Sequence, residues 1–133
     1  MPGISARWTG GQQYLAADDA GHTVATDAHG QAFKPSELLL AALVTCAGAD
    51  FASILEKKKQ KVTAIEVKAS KQSAPEPPWT ILKIEVEWTV RGRGLKEKAV
   101  HDALHLAEEK YCSVAASLKS EIAITLHVVN EEV

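Results

Sequence analysis

The chain has 133 residues, of which 46% are hydrophobic and 24% are charged, so its length and composition predict one globular domain spanning residues 1–133. A net charge of −2 gives no electrostatic reason to expect binding to nucleic acid or to an anionic membrane surface. The first residues lack a basic segment followed by an apolar one, which predicts a cytoplasmic protein. Thiols stay reduced there, so the two cysteines indicate redox or metal chemistry more than a structural disulfide.

The N-terminal residues predict three short strands. Residues 4–16 form a β-hairpin pattern that turns at Gly10 and Gly11, a pair that favours tight turns. Residues 22–27 follow a second turn and predict the third strand.

The most apolar segment predicts a long helix from Pro35 to about Lys58, because proline suits a first helical turn and Glu37 suits the positive end of the helix dipole. Its apolar run 38–55 is near the shortest length that spans a membrane, but it contains Asp50, and a carboxylate inside a lone span is costly. We therefore expect a buried helix of a soluble fold and no membrane. Because this helix is apolar almost all round, we expect a second copy of the chain to cover part of it, in a homodimer.

The second half of the chain predicts strands at 61–72, 81–90 and 121–129. Between the last two strands it predicts a helix at 95–110, followed by a short second helix. The strand at 81–90 has the clearest alternation, with one face made by Leu82, Ile84, Val86, Trp88 and Val90. The buried stripe of the helix is predicted to be Val100, Ala103, Leu104 and Ala107. This element order predicts an α+β fold with mainly antiparallel sheet.

The two cysteines are the candidate reactive groups. Cys46 lies one helical turn before Asp50, and a carboxylate that close raises the pKa of a thiol. A reactive thiolate at Cys46 would therefore need a nearby cation, for which Arg7, His22 or a residue of a partner chain are candidates. Cys112 is expected where a short helix begins, and exposed amides there can lower the pKa of a thiol. Each cysteine could instead be only a small core residue.

A histidine pair on the second helix imitates a zinc motif. His101 and His105 have the spacing of H-E-x-x-H, with aspartate in place of glutamate. Their face of the helix is expected to border solvent beside Lys98 and Glu108, and no third ligand is evident. We therefore expect no bound metal and no cofactor.

Two cysteine-bearing segments resemble a known family. PSELLLAALVTCAGADFASIL and LAEEKYCSVAASL are similar to the central-helix and second-cysteine segments of the osmotically inducible protein C (OsmC) family, which includes the organic hydroperoxide resistance proteins. ARWTGG and the Gly21-His22 pair resemble its N-terminal hairpin. The resemblance implies an intertwined α+β homodimer with two active sites at the subunit interface. It also implies a peroxidase in which Cys46 attacks a hydroperoxide and Cys112 resolves the sulfenic acid as a disulfide, which an external dithiol then reduces.

The chain departs from the peroxidase branch at several positions. Gln12 stands where that branch has arginine, Ser36 stands where it has glutamate, with Glu37 one residue later, and Ser113 stands where it often has proline. These features, together with Asp50, resemble the YhfA-like branch of the family. The alternative function is a non-enzymatic dimer that senses redox state or binds a small thiol or electrophile.

The substrate class follows from the surroundings of the first thiol. Apolar neighbours such as Leu43 and Phe51 are expected to favour bulky organic hydroperoxides.

Overall fold

The computed structural model describes residues 1–132. The chain groups into two compact units, Met1–Leu40 and Ala41–Val133. The single domain expected from length and composition stays a prediction. The fold is α+β, with two three-stranded sheets and helices, as the sequence pattern predicts.

The first unit holds a sheet of three antiparallel strands in the order β1-β2-β3: β1 Ile4–Gly10, β2 Gln13–Asp18 and β3 Thr23–Asp27. The predicted hairpin and third strand are confirmed. Gly10 and Gly11 have φ angles of 125° and 53°, a region that disfavours residues with a Cβ atom. This explains why the chain reverses at this pair.

Helix α1 spans Pro35–Lys57, close to its predicted bounds. At its start, Glu37 Oε1 accepts a hydrogen bond from the Lys34 N–H at 3.0 Å, which satisfies a backbone donor that the helix leaves free. In the second unit the helix buries a stripe of residues spaced four apart: Leu43, Ala47, Phe51 and Leu55. By length and composition alone α1 could cross a membrane, but a stripe buried inside the protein fold is typical of a core helix.

The second sheet has the strand order β4-β5-β6, with β4 Lys61–Ser73, β5 Ile81–Arg93 and β6 Glu121–Asn130. Strands β4 and β5 pair antiparallel, whereas β5 and β6 pair parallel because a helical crossover returns the chain to the same end of the sheet. The alternation predicted for β5 is confirmed by its buried residues, which are Ile84, Val86, Trp88 and Val90. Leu82, predicted on the same face, is 51% exposed at the start of the strand.

The crossover from β5 to β6 consists of helix α2 at Glu97–Leu106, a π-helical turn at Ala107–Tyr111 and the short helix α3 at Ser113–Ser117. The predicted buried stripe is confirmed, since Val100, Ala103, Leu104 and Ala107 are at most 4% exposed. The π-helical turn adds a residue to the winding of the helix just before Cys112. It therefore sets which side chains face inward ahead of that cysteine.

Candidate functional site

Cys112 is held at the junction between the π-helical turn and α3. Its backbone is extended, and its N–H donates to the Ala107 carbonyl at 3.0 Å. Its Sγ accepts a hydrogen bond from the Ala115 N–H at 3.4 Å and lies 4.0 Å from the Leu43 carbonyl oxygen on α1. The side chain is only 3% exposed. Cys112 is thus a buried thiol that contacts the helix carrying the other cysteine.

Cys46 and Cys112 lie side by side although 66 positions separate them in the sequence (112 − 46). Cys46 is partly buried on α1, and the Cys112 side chain lies close enough to contribute to the lowered pKa of Cys46. Both are free thiols in this structure. The second unit therefore brings together the two residues that the sequence singled out, which their spacing alone could not establish.

The surroundings shift the pKa values of the two thiols in opposite directions. Polar contacts with the Val114 backbone N–H, the Cys112 side chain and Ser113 lower the pKa of Cys46 and outweigh the opposing effect of burial. Burial raises the pKa of Cys112, and the neighbouring Cys46 adds to that rise while the Ala115 N–H opposes it. A thiolate is the reactive form of cysteine, and these opposite shifts favour the thiolate at Cys46 over the thiolate at Cys112.

Backbone amides of α3 act on both thiols. The Ala115 N–H donates to Cys112, as expected for a cysteine where a short helix begins, and the largest contribution to the lowered pKa of Cys46 is the Val114 amide. Ser113 adds both its backbone N–H and its side chain. Backbone donors carry no signature in the amino-acid pattern, so sequence reasoning missed Val114 and Ser113. A cation near Cys46 stays a prediction.

Four residues were expected to support the cysteines, and that role stays a prediction for each of them: Arg7, His22, Glu37 and Asp50. Arg7, His22 and Glu37 lie in the first unit: Arg7 is exposed on β1, and Glu37 accepts from a backbone N–H at the start of α1. His22 is exposed, and its Nδ1 lies 2.8 Å from Asp18 Oδ2, an interaction that lowers the pKa of Asp18. Asp50 follows Cys46 by one turn of α1 and is partly exposed.

Two expectations about the surroundings are wrong. Leu43 and Phe51, expected to favour apolar substrates, are 1% and 0% exposed in the core of the second unit and line no open site there. Glu108, expected at the solvent side of the helix, is only 7% exposed. Glu108 follows the buried Leu104 by four residues, and this spacing places the two side chains on one face of the helix.

The histidine pair carries no evident metal site. His105 Nε2 lies 3.1 Å from Glu109 Oε2, and both His101 and His105 are exposed. Among residues 1–132, no group of three or more His, Cys, Asp or Glu side chains is placed to hold a metal ion.

The fold and the site define a class of protein: an α+β protein with two sheets, in which a cysteine on the long helix lies beside a cysteine at a helix junction. The chain belongs to the OsmC-like family, because the model of that family, described as OsmC-like protein, matches residues 28–127. The protein YhfA of Escherichia coli K12 is 36% identical over 121 residues, which cover 90% of each chain. This relative agrees with the branch that the sequence resembles.

Solved structures show the same fold. A hypothetical protein from Aquifex aeolicus VF5 superposes with a TM-score of 0.90 and 27% identity, covering 99% of this chain and 98% of that one. The organic hydroperoxide resistance protein OhrB of Bacillus subtilis superposes with a TM-score of 0.62 and 18% identity, covering 96% and 97% of the two chains. At that identity the second likeness concerns the fold alone.

Proposed function

We propose that this protein is a thiol-dependent peroxidase that reduces organic hydroperoxides and serves in the response to oxidative stress. The observation that supports this proposal most directly is the contact between Cys46 and Cys112, with their pKa values shifted in opposite directions. The lowered pKa of Cys46 favours its thiolate, and the raised pKa of Cys112 favours its protonated thiol. Family membership and the fold shared with a hydroperoxide resistance protein agree with this function.

In the first step the Cys46 thiolate attacks the outer oxygen of the hydroperoxide. An S–O bond forms, the O–O bond breaks, and the alcohol leaves as an alkoxide that takes up a proton. The sulfur is oxidised by two electrons to a sulfenic acid while the peroxide is reduced. The thiolate is itself the nucleophile, so the step needs no metal or cofactor.

In the second step the Cys112 sulfur attacks the sulfenic sulfur of Cys46. An S–S bond forms, the S–O bond breaks, and water leaves with the proton of the Cys112 thiol. The contact between the side chains supplies the proximity that this step needs. An external dithiol then reduces the disulfide by thiol–disulfide exchange and restores both thiols.

The working form that we propose is a cytoplasmic homodimer. Helix α1 has a mean hydropathy of 2.0 over its most apolar window, yet only 28% of that window is buried within the described protein. Apolar surface of this extent is uncommon on monomers, so a second copy is the expected cover. Sedimentation at low micromolar concentration should find a dimer, and a stable folded monomer would contradict this assembly.

Turnover of cumene hydroperoxide with excess dithiothreitol tests the proposed activity. The wild type should consume many equivalents per subunit. Cys112→Ser should form a sulfenic acid at Cys46, which dimedone traps, and should lose the disulfide route of recycling. Cys46→Ser should consume no peroxide. Absence of peroxide consumption by correctly folded wild type would rule the activity out.

A non-enzymatic redox sensor or electrophile-binding dimer is the second candidate. The observation in its favour is that the leading contributions to the lowered pKa of Cys46 come from uncharged donors, whereas a fast peroxidase benefits from a cation at the thiolate. An electrophile binder should react with at most about one equivalent per subunit, and a redox sensor should cycle with excess dithiol far more slowly than a peroxidase. The same turnover experiment therefore separates the two functions.

A further inference from the structure

A cavity of about 490 Å³ opens between α2 and β6, away from the cysteine pair. Its apolar wall is formed by Leu104 from the helix and by Ile124 and Leu126 from the strand. Pockets that bind small organic molecules fall in this range of volume and combine apolar walls with a few placed polar groups. The size and lining of the cavity therefore suit a small organic ligand.

Glu108 is the polar group that marks this cavity. It lies on the π-helical turn, lines the cavity and is 7% exposed, and Trp88 is the one side chain that contributes a polar contact to its pKa. Its nearest polar contact is the Trp88 indole N–H, which lowers the pKa of Glu108 in part but does not reach a full hydrogen bond, since Trp88 Nε1 has no partner among residues 1–132. Burial of a carboxyl group without an opposite charge costs free energy, so its presence in the cavity points to a binding role.

The other carboxylates of the lining are already paired. Asp102 Oδ2 lies 2.9 Å from Lys98 Nζ, and Glu109 Oε2 lies 3.1 Å from His105 Nε2. Glu108 is thus the lining carboxyl with no cationic partner in the described part of the chain. Glu108 is therefore the acidic group of the cavity that is available to a cationic ligand.

We propose that this cavity binds a small organic ammonium ion, with its charged head on Glu108 and its apolar body against Leu104, Ile124 and Leu126. An ammonium head supplies both the positive charge and the hydrogen-bond donors that Glu108 lacks. The apolar wall favours an organic cation over a hydrated metal ion, which prefers several oxygen ligands. No cluster suited to a metal is present among residues 1–132.

The proposal predicts that binding is coupled to protons. Burial raises the pKa of Glu108, so at a given pH a larger fraction of this carboxyl is protonated in the empty cavity than for an exposed glutamate. An ammonium ion favours the carboxylate, so binding releases protons and tightens as the pH rises through the range in which Glu108 ionises. His101 and His105 are the other titratable side chains of the lining that face the bound head group. The paired groups Lys98, Asp102 and Glu109 also lie near the cavity, and Lys58 lies close enough to lower the pKa of Asp102.

Calorimetric titration of the full chain with benzylamine tests the proposal, with benzyl alcohol as the uncharged analogue. The wild type should bind benzylamine saturably, bind benzyl alcohol much more weakly, and shift the Trp88 indole N–H resonance. Glu108→Gln should weaken benzylamine binding at least tenfold, on the order expected for loss of a hydrogen bond to a charged group. Glu109→Gln, a matched change at a paired and exposed carboxylate, should change it by less than about twofold.

A second variant keeps the test independent of any change at Glu108. Ile124 is 41% exposed at the cavity, so Ile124→Trp should fill the cavity and abolish binding without disturbing the core. Circular dichroism checks that each variant is folded. No saturable benzylamine binding to the wild type, equal binding of benzyl alcohol, or unchanged binding in Glu108→Gln would each overturn the proposal. Zinc that bound stoichiometrically and displaced benzylamine would overturn it as well.

Discussion

Removal of the Phe51 ring is the perturbation whose cost follows most directly from the structure. Phe51 is 0% exposed, and its ring packs edge-to-face on Trp88 with centroids 5.3 Å apart and an interplanar angle of 80°. Truncation of a core phenylalanine to alanine costs about 3–5 kcal/mol, of which the aromatic pair supplies about 0.5–1.5 kcal/mol. Small domains are stable by about 5–15 kcal/mol, so Phe51→Ala should remain folded with much reduced stability.

Urea unfolding followed by circular dichroism, at one fixed protein concentration, measures this loss. Phe51→Leu is the matched control, because it removes the ring pair but keeps most of the apolar volume, and it should cost clearly less than Phe51→Ala. A loss below about 1 kcal/mol for Phe51→Ala would refute the reasoning, because it would mean that the Phe51 site is not a closely packed core position.

The same change should also reach the cysteine pair. Trp88 Cη2 lies 3.4 Å from the position of a Cβ atom at Gly48, so the turn of α1 next to Cys46 rests on the same ring as Phe51. Loosening this contact should slow formation of the Cys46–Cys112 disulfide under conditions in which the variant remains folded. An unchanged rate would show that the packing of α1 on Trp88 does not position the thiols.

Three further predictions concern the backbone, the buried acid and the thiols. Gly92→Ala places a Cβ atom 2.2 Å from the Lys61 carbonyl oxygen, so β4 and β5 must move apart and the unfolding midpoint in urea should fall by an amount corresponding to roughly 1–3 kcal/mol. Because burial raises the pKa of Glu108 above 4.5, the folded state holds this proton more tightly than the unfolded state, and the contribution of Glu108 to stability falls as the pH rises between the two pKa values. Glu108→Gln should remove that decline in a series of thermal unfolding curves over pH. Mass spectrometry after limited iodoacetamide treatment should find Cys46 alkylated at a lower pH than Cys112, since their pKa values shift in opposite directions.

Features set by local sequence could be predicted. The bounds of α1, the hairpin at Gly10 and Gly11, and the buried alternation of β5 follow from side-chain periodicity and turn chemistry, which act over a few residues. The buried stripe of α2 follows in the same way. The parallel pairing of β6 with β5 lay outside local patterns, because the choice of neighbouring strand depends on how the crossover packs.

The candidate site was only partly predictable for a related reason. Cys46 and Cys112 could be chosen by residue type and by resemblance, but the Val114 amide has no side-chain signature. Glu108 was expected in solvent because it is charged, but it lies four residues after Leu104 on the buried side of the helix. Sequence patterns predict which side chains of a regular helix or strand are buried. They do not predict where the backbone departs from regular geometry.

The central claim is that Cys46 reacts first and Cys112 resolves it, and mass spectrometry after one equivalent of cumene hydroperoxide tests it most directly. The account predicts a Cys46–Cys112 disulfide in the wild type, a dimedone adduct on Cys46 in Cys112→Ser, and unreacted peroxide with Cys46→Ser. An adduct on Cys112, with peroxide consumption by Cys46→Ser as fast as by the wild type, would reverse the roles. Two unmodified thiols in the wild type would contradict the account altogether.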